Sequence, residues 1–308
     1  MANELLVTGV GTAVVDYVGV VDHFPGPDTQ IELQSFSKQT GGNVATAMVA
    51  LAKLGAKASF LGKFGDDDLG KMAHSDLITK GVDLSGSLVE SNGSMGFAFI
   101  MVEAGTGRRT ILWTGEGKLH LRAEEINRET ILASQYLHLD HYSIDAALAA
   151  ARIAKEGNVQ VVLDPESLSP QVEELLELVD VLIVCADFAY EYTAITNCED
   201  ALAALFEKTS AHTVAITAGE QGSFCQTANE THRQPAFAIK AVDTTGCGDV
   251  YHGAFIYGLM QDWPIARIAE FASAAAALNC RGLGGQSAIP GRQEIDEFLA
   301  STPASLNR

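Results

Sequence analysis

Short apolar runs of β character alternate with longer stretches of helical periodicity through most of this 308-residue chain, and no other feature restricts its fold as much. The runs Leu5–Gly11, Ala58–Gly62, Tyr136–Asp140, Val159–Asp164, Val179–Val184 and Thr213–Thr217 have strand length and are rich in Val, Ile and Leu. Segments 42–54, 67–80 and 143–156 carry apolar residues at helical spacing. Strand and helix in alternation predict βαβ units on a mostly parallel sheet, the α/β class. With 47% apolar and 19% charged residues, the chain can build one large domain with an appendage, or two modest domains.

Two stretches break the rhythm. Residues 12–36 hold Val14-Val15, Tyr17-Val18 and Ile31–Gln34, punctuated by Pro25, Gly26 and Pro27. Residues 95–113 hold Phe97–Val102, a turn at Gly105-Thr106-Gly107, and Thr110–Trp113. Both have the period-two pattern of antiparallel β. They are expected to meet as one small sheet over an active site; the plainer alternative is a pair of extra edge strands. Near the C-terminus, Pro264 is expected at a first helical position, and the Ala-rich run Ala272–Leu278 stops near Arg281-Gly282.

A formal net charge of −19, spread along the chain, repels phosphate backbones and argues against nucleic acid as a partner. The five cysteines (185, 198, 225, 247 and 280) form no CxxC pair, so neither a disulfide framework nor a zinc site is expected. With no basic signal-like start and no long apolar stretch, the expectation is a cytoplasmic protein without a membrane span. His138 and His141 flank Asp140 without further ligand spacing, and Asp66-Asp67-Asp68 fits a helix cap. No GxxxxGK[ST] occurs. The Gly9-Val10-Gly11 turn has Val14 where a dinucleotide fingerprint needs its third glycine.

The stretch with most chemistry is Asp243-Thr244-Thr245-Gly246-Cys247-Gly248-Asp249, which opens a helical pattern. Two glycines around one residue let successive N–H groups point into one concavity, and at a helix N-terminus that concavity holds an anion. A carboxylate beside such a cradle suits phosphoryl transfer, which asks for positioning and charge stabilisation. Taken alone, the same residues also describe an ordinary turn capped by Asp249.

In its order Asp-Thr-Thr-Gly-x-Gly-Asp, this stretch resembles the C-terminal signature of the ribokinase-like (PfkB) carbohydrate kinases. Gly41-Gly42-Asn43 before a helix resembles that family's sugar-side motif, Asp16 falls where it places a sugar-binding Asp, and Thr217-Ala218-Gly219-Glu220-Gln221-Gly222 resembles its nucleotide motif. The resemblance runs in order over essentially the whole chain. It implies a single ribokinase-like domain over 1–308: a three-layer α/β/α sandwich with a small β-sheet lid built from about 12–36 and 95–113.

The resemblance also implies roles. Asp249 takes the acceptor proton, and Gly246, Cys247 and Gly248 form an anion hole. Asp16, Gly41, Gly42, Asn43 and Asp140 hold the sugar, while Thr217, Gly219, Gly222 and Ser273 line the nucleotide side. Glu191 contacts magnesium through water, against the plainer reading of a surface helical Glu, and Asp243, Thr245 and Gly284 form a monovalent-cation site. The implied cofactors are ATP, Mg²⁺ and K⁺, and the implied partner is a second copy of the chain through the lid. The sequence departs from the pattern at Cys247, where the family more often has Ala, at Phe188, where its metal motif has Asn, and at Ser273, where ribokinases tend to have Asn. Two other readings stand beside a sugar kinase: a nucleoside kinase of the same fold, and a non-catalytic sensor. Arg108 and Arg109 in the lid are candidates for reading an anionic substrate, against the plainer reading of solvated hairpin charges.

Overall fold

The apolar runs become strands because they are buried, where backbone N–H and C=O groups must find partners in a neighbouring strand. The computed structural model describes residues 6–114 and 119–302; Leu5, at the head of the first expected strand, lies outside them. In chain order the strands are β1 Leu6–Val10, β2 Val14–Val21, β3 Ser35–Gly41, β4 Lys57–Leu61, β5 Lys63–Gly65, β6 Val82–Asp83, β7 Leu88–Glu90 and β8 Phe97–Glu103. They continue with β9 Arg109–Trp113, β10 Tyr136–Asp140, β11 Gln160–Asp164, β12 Val181–Cys185, β13 Thr213–Thr217, β14 Ser223–Thr227 and β15 Thr231–Gln234. The main sheet has the order β15-β14-β13-β12-β11-β10-β1-β4-β6. Every pairing from β6 across to β13 is parallel, and β14 and β15 extend the sheet antiparallel.

Alternate residues of single strands feed two separate cores, which makes the sheet the middle of three layers. Val162, Val181, Ile183 and Ala215 pack with the helices Asn43–Lys53, Cys247–Met260 and Ile265–Asn279. Val161, Leu163, Leu182, Val184 and Val214 pack with Ile144–Glu156, Pro170–Leu176 and Cys198–Lys208 on the other side. The three helices expected at 42–54, 67–80 and 143–156 form over Asn43–Lys53, Asp68–Thr79 and Ile144–Glu156, and Asp67 caps the second by accepting from Gly70 N at 2.8 Å. Pro264 caps its helix from one position before the expected first turn.

The two β insertions meet in a second sheet of order β3-β2-β8-β9. Two details correct the sequence reading. The central pair β2–β8 is parallel, flanked by antiparallel β3 and β9, because these strands come from distant insertions and no hairpin joins them. Ile31–Gln34 is not a strand; β3 begins at Ser35.

Register gives this small sheet two faces. Val18, Ala98, Ile100 and Val102 point inward and pack with Leu283. Asp16 and Trp113 share that inward row through Ala98, while Ile111 and Arg109 follow opposite Ile100 and Val102. Tyr17, Phe36, Phe99 and Leu112 occupy the outer face.

Candidate active site

Chain order places a crevice at the carboxyl ends of β1 and β10. From β1 the chain fills one side of the sheet with β4 and β6, then returns to build β10 to β13 on the other. Ligands bind at such a reversal. Thr12 N, just past β1, donates to Asp140 Oδ2 at 2.9 Å, and Tyr142 N donates to Asp140 Oδ1 at 3.1 Å. These bonds fix Asp140 at the floor of the crevice. Asn43 opens its helix after Gly42, whose φ of 104° only glycine adopts readily. Asn43 Nδ2 reaches Asp164 Oδ2 at 3.2 Å and Glu166 Oε1 at 3.0 Å. Tyr142 OH also donates to Glu166.

Across this crevice lies the N-terminus of the helix Cys247–Met260. Its cap, Gly246, has φ of 71°, and a methyl group there would fall 2.5 Å from Gly285 Cα. At Gly248 an added methyl would meet nothing within 4 Å. The loop is therefore backed by glycines on one side and open on the other, with the helix's unpaired N–H groups at its mouth. Asp249 is the third residue of the helix.

Four aspartates converging here resist ionisation. Burial holds Asp249 well above the usual carboxylate range, and Asp164 and Glu166 push it further. Burial, then Glu166, takes Asp164 up to about 8. For Asp140 burial outweighs the Thr12 and Tyr142 N–H bonds and gives about 7. Asp16, against which Gly41 packs directly, also reaches about 7 through burial and then Asp243. Such a cluster stores a demand for positive charge. Arg109, from the lid, opposes the shift at Asp249.

Asp243 lies behind the loop, fully buried. Its Oδ1 accepts from Thr245 N at 2.9 Å and Thr245 Oγ1 at 2.7 Å, and its Oδ2 accepts from Gly284 N at 2.7 Å. These bonds bring together the three residues expected at a monovalent-cation site. Beside them Asn279 Oδ1 is buried without a partner, while Asn279 Nδ2 donates to Gly285 O at 3.1 Å.

On the nucleotide side, Thr217 ends β13 and donates through Oγ1 to Val184 O at 3.3 Å. Gly219, where an added methyl would also meet open space, and Gly222 frame the turn into β14. Ser273 Oγ lies 3.4 Å from Ser223 Oγ at the start of β14. Glu191 is exposed on the second turn of Ala186–Thr193, and no hydrogen bond or ion pair ties it to the acidic cluster among the described residues.

Asp164, Glu166, Tyr142, His252 and Trp113 are the site residues that sequence reasoning did not single out. The position of Asp164 at the end of an apolar strand run was an available signal, since ligands gather at the carboxyl ends of parallel strands.

The fold is an α/β sandwich in which a glycine-capped helix N-terminus faces a buried carboxylate cluster. The family model "pfkB family carbohydrate kinase" matches residues 5–292, and the chain belongs to that family of ATP-dependent carbohydrate kinases. It is 31% identical to a ribokinase of Haemophilus influenzae, over 95% of this chain and 97% of the relative. It is 30% identical to an ATP-dependent ribose-1-phosphate kinase of Halopiger xanaduensis, over 91% of this chain and 93% of the relative. A ribokinase structure from Thermotoga maritima superposes with a TM-score of 0.83 at 28% identity, covering 96% of this chain and all of the other. No helix among the described residues is long and apolar enough to cross a membrane.

Proposed function

We propose that residues 1–308 act as one kinase domain that transfers the γ-phosphoryl group of ATP to a hydroxyl of a neutral sugar or related polyol. The observation that carries this reading is Asp249 at the open mouth of the Gly246-Cys247-Gly248 cradle, facing the crevice held by Asn43, Asp140 and Asp164. Asp249 takes the hydroxyl proton as the acceptor oxygen bonds to the γ-phosphorus. The bond from that phosphorus to the β,γ-bridging oxygen breaks, and ADP leaves with the electron pair. The cradle N–H groups meet the charge on the phosphoryl oxygens. Asp16, Gly41, Gly42, Asn43 and Asp140 hold the sugar, and Thr217, Gly219, Gly222 and Ser273 line the nucleotide.

Among the described residues no three His, Cys, Asp or Glu side chains form a metal cage, which suits a magnesium ion that keeps waters and phosphate oxygens as ligands. When bound, it would neutralise phosphate charge; Asp164, Glu166 and Glu191 are the carboxylates available to hold its waters. The unpartnered Asn279 Oδ1 beside Asp243, Thr245 and the Gly284 loop fits a potassium ion.

Trp113, whose ring lies 6.2 Å from that of Tyr142 on the site-facing side of the lid, favours a second acceptor class, a nucleoside stacked on that pair. We assign the outer lid face to a homodimer contact, and the five free cysteines suit the reducing cytoplasm. A panel of pentoses, hexoses, sugar acids and nucleosides, scored by ADP release with MgATP, tests the proposal. One acceptor should raise ADP release well above the acceptor-free rate. Nucleotide binding without transfer to any of them would leave the sensor reading standing instead.

A further inference from the structure

Gln39 joins the lid to the loop behind the anion cradle. It sits on β3 opposite Asp16 of β2, two residues before Gly41, and it is buried. Its amide reaches the loop 283–286, which follows the helix Ile265–Asn279. Nε2 donates to Leu283 O at 3.1 Å, and Oε1 accepts from Gln286 N at 3.1 Å. One planar amide thus holds the loop backbone on both sides of Gly284 and Gly285, and the loop cannot turn without breaking a buried bond. Gly284, at φ 85°, has no room for a methyl group because Gln39 Nε2 occupies that space. The other side of the loop faces the cradle: Gly284 N donates to Asp243 Oδ2 at 2.7 Å, Gly285 backs Gly246, and Gly285 O accepts from Asn279 Nδ2 at 3.1 Å. Gln286 is held in turn, its Nε2 donating to Thr46 Oγ1 at 2.9 Å and its Oε1 accepting from Lys80 Nζ at 2.8 Å. Leu283 completes the contact by packing against Val18, Ala98, Ile100 and Val102 on the inward lid face.

We infer that Gln39 is a positioning residue that couples the lid to the monovalent-cation site: occupancy of that site and the lowered lid favour each other through its two bonds to the 283–286 loop. This rests on the kinase reading above and on its cation site at Asp243, Thr245 and Gly284, where buried Asn279 Oδ1 has no partner. Strands β2 and β3 leave the main body at 11–13 and 42, so raising the lid about those junctions draws Gln39 off Leu283 O and Gln286 N. The loop then loses the two bonds that fix its backbone beside Asp243 and Gly246. With the lid down, Gln39 holds the loop in the form that receives the cation, and a cation there returns the same free energy to the lowered lid. The chain runs on from Gln39 into Gly41, Gly42 and Asn43, so the state of the loop also reaches the residues proposed to hold the sugar.

The test needs neither ATP nor acceptor. Wild type, Gln39→Met and Gln39→Glu, each as the full chain, are compared in KCl and in N-methyl-D-glucamine chloride of equal ionic strength. Trp113 reports the lid: it lies on β9, 56% exposed, with its ring 6.2 Å from that of Tyr142. The chain's other tryptophan, Trp263, packs on Phe271 at 5.1 Å between ring centroids, and Trp113→Phe identifies its share of the emission. In wild type, KCl should raise Tm and shift Trp113 emission to shorter wavelength. Gln39→Met keeps the side-chain length and loses both bonds; there the KCl concentration at half of the Trp113 shift should rise about fivefold or more, or the shift should vanish. Gln39→Glu keeps the bond from Gln286 N and sets an acceptor against Leu283 O. Its half-point should rise too, and it decides the matter if Gln39→Met does not fold. Two results each overturn the coupling: a half-point unmoved in the variants, whatever their Tm, and a wild-type Tm that rises in KCl while Trp113 emission stays still. A wild type indifferent to KCl in both readouts overturns the coupling together with the cation site beneath it. The kinase reading fails separately, if no acceptor in the panel draws ADP release from MgATP.

Discussion

His252 Nε2 lies 3.5 Å from Asp164 Oδ1, one turn along the helix that carries Asp249. Burial and the neighbouring His138 ring, 5.2 Å away between centroids, hold His252 well below the usual histidine range. Near pH 7 the pair is therefore a neutral imidazole facing a carboxyl that still keeps its proton. This neutral pair forms the floor under the acidic cluster, and its cost appears as a pH dependence of stability.

Burial holds Asp16, Asp140 and Asp164 at about 7, 7 and 8 in the folded chain, against 3.8 for an ordinary aspartate. Between those values the unfolded chain has released the proton and the folded chain still holds it. The contribution of these three groups is thus full below about pH 4 and falls as pH rises toward 8, by about 1.4 kcal/mol per pH unit for each group inside its window; His138 and His252, which burial holds neutral, act in the opposite direction below the ordinary histidine range. The ligand-free chain should lose Tm steadily from pH 5 to pH 8, and Asp164→Asn should flatten part of the slope. A Tm that stays level or climbs over that range contradicts the buried-acid account.

Cys247 should be the thiol whose modification stops the reaction. It is partly exposed, whereas Cys198, Cys225 and Cys280 are buried. A hydrogen bond from Cys280, then Arg109 and the Gly248 N–H, draw its pKa down against the effect of burial. Burial raises that of exposed Cys185. A small alkylating reagent should inactivate wild type, MgATP should slow the loss, and Cys247→Ala should remain active and resist. Equal inactivation of both proteins would place the sensitive thiol elsewhere.

The outer lid face should hold two copies together. Phe36, Phe99 and Leu112 are 57%, 51% and 57% exposed, and the Tyr17 ring lies tilted against the two phenylalanine rings at 6.2 and 5.3 Å between centroids. An apolar aromatic patch of this kind is characteristic of an interface core. Sedimentation should give a dimer for wild type and a monomer for Phe99→Lys. A wild-type monomer at high micromolar concentration rules the contact out.

The parallel layers were legible because each strand signals itself locally: Val159–Asp164 and Thr213–Thr217 are apolar runs whose two faces are both buried. The glycine-capped helix start at Gly246 was legible for a related reason, since seven consecutive residues hold both glycines and the carboxylate proposed as cradle and base. Asp164 and Glu166 were not, because only the lateral pairing of β10 with β11 brings them beside Asn43 and Asp140. The parallel β2–β8 pairing escaped for the same reason: period-two alternation reports a strand and its faces, but not the direction of its neighbour. Trp113 lies beyond any motif; it joins the site through the β2–β8–β9 register that aligns it with Asp16.

The central claim is that Asp249 removes the acceptor proton, and Asp249→Asn tests it most directly. The substitution keeps the size of the side chain at the mouth of the cradle and removes its basicity. With the acceptor found in the panel, kcat should fall by about 10²–10⁴-fold, while MgATP binding measured by calorimetry stays within a few-fold of wild type. A variant that keeps more than about half of the wild-type kcat would contradict the account, because no base of that efficiency survives the loss of its carboxylate.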